Sequence, residues 1–398
     1  MERQILHIDV NNAFLSWTAV EMLKNGSKID IREIPSIIGG DETRRAGIVL
    51  AKSMKAKECG VKTGETIYMA RKKCNNLQVY PMLGRGKFKE YSDKLYNLLL
   101  EYTEIIERFS IDECFLDMTD YLMNDTLLNK ANEISKRVKN ELGFTVNIGV
   151  AHNKLLAKMV SDFQKPDRVH TLFEEEIPTK MWNLPVSELF MLGRKTVPKL
   201  YNMKIKTIGD LAKIDRNLLI KKFGKYGNTL WEYANGIDKS PVNNIAEEPK
   251  SVGNSVTLPY DISNIEQIKK VVLNLTEQVT YRLRKHKLKA NTVSIQLRTS
   301  DFIDFSHQKK LDYSTSNTKH IFNKAIEILN EMYKDSLPIR LIGIRVDNLV
   351  NENNEQLSLF SSQTDEKQKE LDKVVDQIKD KYGYNMIKRA GDLHLDIM

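Results

Sequence analysis

Three acidic residues lie in runs that the sequence predicts as strands, and together they indicate metal-dependent chemistry. Asp112 and Glu113 follow Ser110 and Ile111, and an isolated Asp9 lies near the start of the chain. Three carboxylates brought together can hold two divalent cations, which enzymes place roughly 3.5 to 4 Å apart for in-line phosphoryl transfer. The acids therefore predict a site of the kind used for nucleotide polymerisation or cyclisation.

The hydrophobic pattern predicts alternating elements that can position these acids. Asp9 lies at the carboxyl end of a buried strand, and a long amphipathic helix leads into the strand of Asp112 and Glu113. The predicted elements are strands at 4–10, 47–51 and 144–151 and helices at 12–24, 87–106 and 126–142. This alternation, with acids at strand ends, is the pattern of a ferredoxin-like α+β palm.

One local problem concerns the acidic pair itself. Simple strand alternation directs Asp112 and Glu113 to opposite faces of a sheet, so a bend or bulge is needed for both to converge. The alternative is an acidic pair on the surface beside a hairpin turn, with Glu113 facing solvent. Asp112 is the firmer of the two candidates.

The rest of the chain changes character several times. Short helices with glycine turns extend from Pro166 to Gly236, and the polar residues that follow are typical of a linker. A second α+β unit is then predicted, with strands at 252–258, 292–298, 302–312 and 340–347 and helices at 263–286 and 318–334. A polar stretch at 350–366 precedes a last helix at 367–381, whose role the sequence does not indicate.

Size and charge narrow the class of protein. The 398 residues, 45.9 kDa in mass, exceed what one hydrophobic core usually supports, so several domains are expected. The net charge is +8, and part of the excess lies in one run: Arg282, Arg284, Lys285, Lys287 and Lys289. Such a run favours a polyanionic partner such as nucleic acid, although a solvated helix face is the simpler alternative.

Cysteine content and hydropathy indicate the compartment. Cys59, Cys74 and Cys114 show no short spacing typical of a zinc site or a disulfide framework, which favours a reducing environment. There is no run of roughly 18 apolar residues and no signal-peptide pattern at the N-terminus. We therefore expect a monomeric cytoplasmic protein with no membrane span.

Four motifs, in order, resemble those of the translesion (Y-family) DNA polymerases, and most closely those of the bacterial DNA polymerase IV group. They comprise residues 8–14, 51–62, 110–113 and 149–158, the last extending to Lys165 and Pro166, within a resemblance that covers residues 4–349. The resemblance implies a right-hand polymerase with a ferredoxin-like palm, small fingers, a helical thumb with a helix-hairpin-helix turn, and an α+β little finger. It also implies low-fidelity, template-directed DNA synthesis past damage, on primer-template DNA and dNTP.

The resemblance assigns roles around the acids. Asp9, Asp112, Glu113 and the carbonyl of Val10 would hold two Mg²⁺ ions. Phe14 would be the steric gate that excludes a ribose 2′-hydroxyl. From the residues alone, a single aromatic at helical spacing is more simply a core residue.

The implied triphosphate contacts depart from the family pattern. Lys165 would reach the β and γ phosphates. Family members usually carry Tyr and Arg three residues apart on the finger helix, where this chain has Met54 and Lys57. Lys57 supplies a point charge without the bidentate fork of Arg, and Met54 cannot donate a hydrogen bond.

DNA-backbone contacts are expected from two regions. Gly193 and Lys195 lie in the segment that resembles a helix-hairpin-helix turn, which exposes backbone N–H groups to phosphate. Arg282, Arg284 and Arg298 are the candidates in the little finger.

The polar tail contains a segment that resembles the pentapeptide by which bacterial polymerases dock on the sliding clamp (beta subunit). Leu359 and Phe360 would fill an apolar pocket, Leu357 would lie beside them, and Gln356 would hydrogen-bond at its edge. The alternative is a plain linker with stray apolar residues.

The resemblance also implies domain boundaries: palm at 1–30 and 77–165, fingers at 31–76, thumb at 166–240, linker at 241–251, little finger at 252–349, and a clamp-binding tail with the terminal helix at 350–398.

Two features of the sequence suggest functions other than an active polymerase. Residues 39–43 (Gly-Gly-Asp-Glu-Thr) nearly match the signature of diguanylate cyclases, but they precede the finger strand and lie apart from the predicted acids. A catalytically impaired, clamp-tethered DNA-binding scaffold is favoured only by Met54 and Lys57. Retention of Asp9, Asp112 and Glu113 opposes it, because clustered carboxylates repel one another without metal.

Overall fold

Apolar strand runs and one-sided apolar helices alternate along the chain, and they form two units. The computed structural model describes residues 2–41, 45, 47–122, 125–245, 248–333, 337–352, 363–384 and 386–387. The first unit contains residues 1–40 and 48–246, and the second contains residues 41–47 and 247–398. The division after residue 246 falls within the stretch expected to be a linker.

The first unit contains eight strands and ten α-helices among its described residues. The strands are β1 (Ile5–Val10), β2 (Ser36–Gly39), β3 (Val49–Lys52), β4 (Gln78–Pro81), β5 (Ile106–Arg108), β6 (Glu113–Asp117), β7 (Val146–Ala151) and β8 (Val169–Thr171). The helices are α1 (Ala13–Lys24), α2 (Met54–Glu58), α3 (Ile67–Lys73), α4 (Arg85–Leu99), α5 (Leu127–Arg137), α6 (Lys154–Ser161), α7 (Val197–Tyr201), α8 (Ile208–Lys213), α9 (Arg216–Phe223) and α10 (Lys225–Ala234).

Strand β1 lies at the centre of a five-stranded sheet in the order β5-β6-β1-β7-β8. It is buried along its whole length and pairs antiparallel with both β6 and β7. One face of the sheet packs against α1, α4 and α5 through residues such as Trp17, Tyr91 and Ile134. The other face packs against α6 and the short helices α7 to α10. Covering on both faces explains why β1 is apolar except at His7 and Asp9.

A second, three-stranded sheet in the order β3-β2-β4 carries α2 and α3. Its small core includes Ile37, Val49, Ala56, Ile67 and Ala70. Ser53 caps α2 by accepting a hydrogen bond from Ala56 N–H and fixes the cap by donating to the Ile34 carbonyl.

The predicted helix at 87–106 was too long. Helix α4 ends at Leu99, and Ile106 instead pairs with Leu116 in the hairpin of β5 and β6. The spacing of Tyr102 and Ile106 continues the helical period, but Ile106 is buried by strand pairing. The prediction misassigned this residue because a short apolar run fits either structure.

The second unit is a four-stranded sheet with helices on one face. Its elements are β9 (Ser251–Ile262), α11 (Ile265–Lys285), β10 (Leu288–Thr299), β11 (Asp304–Thr315), α12 (Thr318–Met332), β12 (Ile339–Asp347), β13 (Val350–Asn351) and α13 (Gln363–Tyr382). The sheet order is β11-β10-β12-β9, and β13 pairs with β10. All six elements predicted between residues 252 and 347 form.

The last helix docks on the second unit through charged groups. Arg284, on α11, contacts Asp376 at 2.6 Å and Asp372 at 3.4 Å, and both acids belong to α13. Asp372 also accepts a hydrogen bond from the Thr318 N–H at the start of α12. The Arg284 guanidinium is thus held by two carboxylates, and its contact with the DNA backbone stays a prediction.

We predict that Arg284→Met loosens α13. The substitution leaves Asp372, which is 3% exposed, without its guanidinium partner, and we expect a loss of about 2 kcal/mol in stability. Thermal unfolding of the full chain measures the loss of stability, and hydrogen exchange in α13 measures the loosening of that helix. Arg298→Met is the control, because the Arg298–Asp304 pair is on the surface and should change little. Unaltered exchange in α13 of the Arg284 variant would contradict the docking role.

Candidate active site

The three acids predicted from the sequence lie at one end of the central sheet. Asp9 and Glu113 are direct partners in the register of β1 and β6. Asp112 precedes β6 in a bend at residues 110–112, and its carbonyl accepts a hydrogen bond from Val10 N–H at 3.1 Å. The bend that strand alternation required is present, and it brings Asp112 to the end of β1.

A lysine that the sequence reasoning missed lies between two of these acids. The ammonium of Lys158, on α6, is 3.3 Å from Asp9 Oδ2 and 2.9 Å from Glu113 Oε1. Lys158 is 8% exposed, so it is buried with the acids. The sequence offered one sign of this role: Lys158 lies on the inward face of the apolar helix α6, where a lysine is rare unless it is paired.

Lys165 completes the charged cluster from a neighbouring turn. Its ammonium is 2.8 Å from Asp9 Oδ2 and 2.8 Å from Asp162 Oδ1. Asp9 therefore accepts from two ammonium groups. The structure places Lys165 beside the acids, and its contact with the β and γ phosphates stays a prediction.

The pKa shifts follow from burial and from these pairs. Burial opposes the charge of Lys158, but the carboxylates of Asp9, Asp162 and Glu113 outweigh it and raise the pKa of Lys158. Burial likewise opposes the charge of Glu113, while the nearby His7 imidazole, 3.8 Å from Oε2, and the hydrogen bond from Lys158 lower the pKa of Glu113 below its ordinary value. Both groups are thus held in their charged forms.

Asp112 shows the opposite shift. Burial, together with the negative charges of Asp9 and Glu113, raises the pKa of Asp112 despite a 2.6 Å hydrogen bond from Ser110 Oγ. Burial is the larger cause of this shift, and the negative charges of the two neighbouring acids add to it. Added positive charge would stabilise the ionised form of Asp112.

The carboxylates of Asp9, Asp112 and Glu113 are suitable ligands for a divalent cation. In this structure, Asp9 and Glu113 contact lysines instead. In the described part of the chain, no three His, Cys, Asp or Glu side chains are close enough to form a ready metal site. Asp9 and Glu113 nevertheless converge on one cation, the Lys158 ammonium, and the charges of both acids act on Asp112. Carboxylate oxygens are the ligands that Mg²⁺ and Ca²⁺ prefer.

Next to the acids, the start of α1 offers a place for an anion. Asn12 has a left-handed backbone (φ 48°) before the helix, and its side chain does not cap the first turn. Exposed N–H groups at a helix start attract phosphate. Asn12 and Met54 line one cleft of about 620 Å³, together with Pro166 beside Lys165.

Phe14 lies in the first turn of α1 and is half-buried. Its ring packs 4.8 Å from that of Phe88, and it belongs to the edge of the core. The Phe14 ring thus makes a core contact and is also partly accessible, so its position agrees with a core role and with a steric-gate role.

The exposed Lys57 is on α2, three residues after Met54. Burial and the nearby charge of Lys57 lower the pKa of Lys52 at the end of β3. Two like charges that disfavour each other form a positive region suited to an anion. Lys52 was not singled out from the sequence.

Two buried amides hold the turn that carries Lys165. Asn147 donates to the carbonyls of Ser161 at 3.0 Å and Gln164 at 2.7 Å. Asn11 donates to Asn147 Oδ1 at 3.0 Å, and its own oxygen accepts from Asp167 N–H at 2.8 Å. The bonds reach both sides of Lys165, so they fix the turn against the end of β1. Sequence pattern alone gave no sign of this network.

The remaining predicted contacts are scattered over the surface. Gly193 and Lys195 are exposed in the turn before α7. Arg282 donates to the Gly253 carbonyl, and Arg298 pairs with Asp304 at 2.8 Å. Gln356, Leu357, Leu359 and Phe360 lie outside the described residues. Gly39 ends β2 in the three-stranded sheet, away from the strands of the acids.

Comparison with known proteins gives the family. Residues 8–162 match the model of the impB/mucB/samB family, residues 249–359 match its C-terminal domain, and residues 189–238 match the thumb domain of DNA polymerase-iota. A DNA polymerase IV of Clostridium acetobutylicum is 48% identical over 390 residues, which are 98% of each chain. The chain belongs to the Y-family of DNA polymerases, in the bacterial DNA polymerase IV group. It is thus a DNA-directed DNA polymerase, whose substrates are DNA and dNTP.

Further comparisons agree with this assignment. A DNA polymerase IV of Acetivibrio thermocellus is 41% identical over 401 residues, covering 98% of this chain and 97% of the relative. A solved Y-family DNA polymerase chimera of Dbh and Dpo4 superposes with a TM-score of 0.73 at 23% identity, covering 87% of this chain and 99% of the chimera. This likeness confirms the predicted right-hand α+β fold. The cyclase hypothesis was wrong.

Two general properties accompany the family assignment. Y-family DNA polymerases generally use divalent metal ions, in agreement with the carboxylate chemistry of this polymerase. None of the helices in the described part of the chain combines the length and apolar character that a membrane crossing requires.

We predict that Asn147→Ala weakens nucleotide binding by the polymerase. The change leaves the Ser161 and Gln164 carbonyls without their buried donor, at a cost of about 2 kcal/mol in stability, and frees the turn of Lys165. Steady-state kinetics should show a KM for dNTP several-fold higher, with kcat less affected. Asn129→Ala, on the surface of α5, is the control. A destabilised variant with an unchanged KM would contradict the positioning role.

Proposed function

We propose that this polymerase extends primers past damaged template positions with low fidelity, by a nucleotidyl transfer that uses two Mg²⁺ ions. The observation that carries the proposal is the convergence of Asp9, Asp112 and Glu113 at one sheet end, with two lysines beside them. The family assignment supports translesion synthesis as the reaction, and the site supplies its chemistry.

Asp9, Asp112, Glu113 and the Val10 carbonyl would hold the ions. Bound there, the cations would supply the positive charge that activates the primer 3′-hydroxyl and stabilises the leaving pyrophosphate. A cation at Asp112 fits this role, because burial and the charges of Asp9 and Glu113 raise the pKa of Asp112 and a positive charge there would stabilise its ionised form. The same charge would release Lys165 from Asp9.

Lys165 would then contact the triphosphate. Its turn is fixed by Asn11 and Asn147, so its ammonium is held near the acids whether it pairs with Asp9 or with a phosphate. Lys57, with Lys52 behind it, would add positive charge from the finger helix. The N–H groups at the start of α1 would bind a phosphate oxygen without any side-chain donor at Met54.

DNA would lie against surfaces that do not read sequence. In the first unit, the exposed turn with Gly193 and Lys195 offers N–H groups and charge to a phosphate. In the second unit, the sheet face opposite the helices is polar and concave, with Ser255, Gln296 and Arg345 along it. We propose these as backbone contacts, and we keep Arg282, Arg284 and Arg298 as weaker candidates because each already has a partner.

The domain boundaries implied by the resemblance are proposed unchanged. The palm would comprise 1–30 and 77–165, the fingers 31–76, the thumb 166–240, the linker 241–251, the little finger 252–349 and the tail 350–398.

Primer extension with Asp112→Asn tests the function. On undamaged and abasic templates with Mg²⁺ and dNTP, the wild-type chain should extend both, and the variant should lose extension by at least about a thousandfold because it lacks a charged ligand. Asp120→Asn, a change at an exposed carboxylate, is the matched control. Tight DNA binding without extension by the wild type would instead support the impaired scaffold.

We predict that Phe14→Ala admits ribonucleotides. Removing the ring opens space beside the sugar while leaving the acids untouched, so the ratio of rNTP to dNTP incorporation should rise at least about tenfold. Phe88→Leu is the control, since it alters the same ring contact from the other side. If the Phe14 variant still rejected rNTP, the residue would be a core aromatic only.

We also propose that Gln356, Leu357, Leu359 and Phe360 tether the polymerase to the sliding clamp. Alanine at both Leu359 and Phe360 should shorten the products made with loaded clamp and leave clamp-free extension unchanged, because the anchors fill the clamp pocket and not the active site. Ser358→Ala is the control. Equal products with clamp for the double variant and the wild type would exclude this segment as the tether.

A further inference from the structure

Two of the three cysteines face each other beside the finger helix. Cys59 follows α2 and Cys74 follows α3. Their sulfur atoms are 3.0 Å apart, closer than the roughly 3.5 to 4.0 Å of ordinary nonbonded contact, and both are free thiols. A disulfide needs a separation of about 2.05 Å, so a small approach of the two sulfurs would join them.

The two thiols are in different environments. Cys59 is exposed, whereas Cys74 is 4% exposed and donates its S–H to the Cys59 sulfur. Burial, and then the neighbouring Cys59, raise the pKa of Cys74 to about 11. An oxidant in solution therefore reacts with Cys59 first, and Cys74 remains beside it as a protonated thiol. An accessible thiol next to a second thiol is the arrangement of a reversible redox site.

The ends of α2 and α3 are already held together around this pair. The Lys73 ammonium is 3.2 Å from the Gly60 carbonyl and also pairs with Glu65. The two helix ends therefore already lie close enough for a disulfide to form when α2 moves toward α3. Cys59 is two residues after Lys57, so a bond there acts directly on the helix that carries Met54 and Lys57.

We propose that Cys59 and Cys74 form a peroxide-reactive dithiol whose disulfide pulls α2 toward α3 and weakens binding of the incoming nucleotide. Hydrogen peroxide is the oxidant. The Cys59 thiolate attacks one peroxide oxygen, an S–O bond forms, the O–O bond breaks, and the released hydroxide takes up the proton lost by Cys59 to give water.

The second step closes the bond. The Cys74 sulfur attacks the Cys59 sulfur, an S–S bond forms, the S–O bond breaks, and the departing hydroxide leaves as water with the Cys74 proton. In total, two thiols lose two electrons and two protons, and one peroxide becomes two waters. A dithiol reductant reverses the change by thiol–disulfide exchange.

The consequence for nucleotide binding rests on the proposed contact of Lys57 with the triphosphate. The sulfurs must move from 3.0 Å to about 2.05 Å, and this shift is passed to the end of a helix of only five residues. Displacements of this size at a substrate-positioning group are large enough to change kinetics.

Peptide mapping of the full chain after treatment with hydrogen peroxide and alkylation tests the site. We expect the native chain to lose the mass of two hydrogen atoms, to give one linked peptide that joins Cys59 and Cys74, and to regain both thiols with dithiothreitol. Cys114→Ser should behave as the wild type. Cys74→Ser should instead accumulate oxygen on Cys59. Absence of the linked peptide from the native wild-type chain, or a link to Cys114, would overturn the proposal.

Primer extension by the oxidised and reduced proteins tests the consequence. We expect a KM for dNTP at least about twofold higher in the oxidised chain, restored by reductant. Cys59→Ser should be indifferent to peroxide. A linked peptide with an unchanged KM would overturn the coupling to nucleotide binding. The peptide map does not depend on polymerase activity, so it distinguishes failure of this site from failure of the proposed function.

Discussion

The site depends on one buried ammonium that two carboxylates share. Asp9 and Glu113 are adjacent in the strand register, so the fold forces two negative charges together inside the protein. Unpaired charges in such a place are costly, and like charges raise the cost further. Lys158, from the helix that covers the same sheet, lies within 3.3 Å of both and offsets that cost. The ammonium therefore offsets the repulsion between the two carboxylates before any metal or substrate arrives.

Two further groups, Asp112 and Lys165, are held beside this shared ammonium by the surrounding structure. The bend at residues 110–112 adds a third carboxylate, whose pKa is raised by burial and by the two other acids, and the Asn11–Asn147 network holds Lys165 close to Asp9. Arrival of positive charge at Asp112 and of negative charge at Lys165 would thus be coupled. A polymerase brings both at once, because its nucleotide binds together with its cations. The geometry is preset by hydrogen bonds of the backbone and of two buried amides.

The sequence predicted those parts of the fold that follow from periodicity. Strand β1, helix α1 and the six elements between 252 and 347 were readable, because each is long and strongly patterned. Strand β5 was not, because Ile106 fits the helical spacing of α4 while its burial depends on pairing with Leu116. A partner that is distant in sequence cannot be read from a local pattern.

The same distinction applies to the site. Asp9, Asp112, Glu113 and Lys165 were predicted through motifs, and the bend at residues 110–112 agrees with the bend or bulge that strand alternation required. Lys158 and Asn147 were missed, because their importance lies in contacts with residues more than a dozen positions away. The partners of Arg284 within the chain, Asp372 and Asp376, were missed for a related reason: a basic run favours a polyanion but does not show which acids of the same chain lie beside it.

Thermal unfolding of Lys158→Met, with EDTA and then with Mg²⁺, tests the central claim most directly. Without the ammonium, Asp9 and Glu113 repel each other, so the variant should melt lower than the wild type in EDTA, and Mg²⁺ should raise its melting temperature more than that of the wild type. Lys154 is on the same helix as Lys158 and pairs with Glu107 of β5. The Lys154→Met variant loses that pair and should be destabilised without rescue by Mg²⁺. A Lys158 variant that Mg²⁺ rescues no better than the Lys154 variant would contradict the shared-ammonium account.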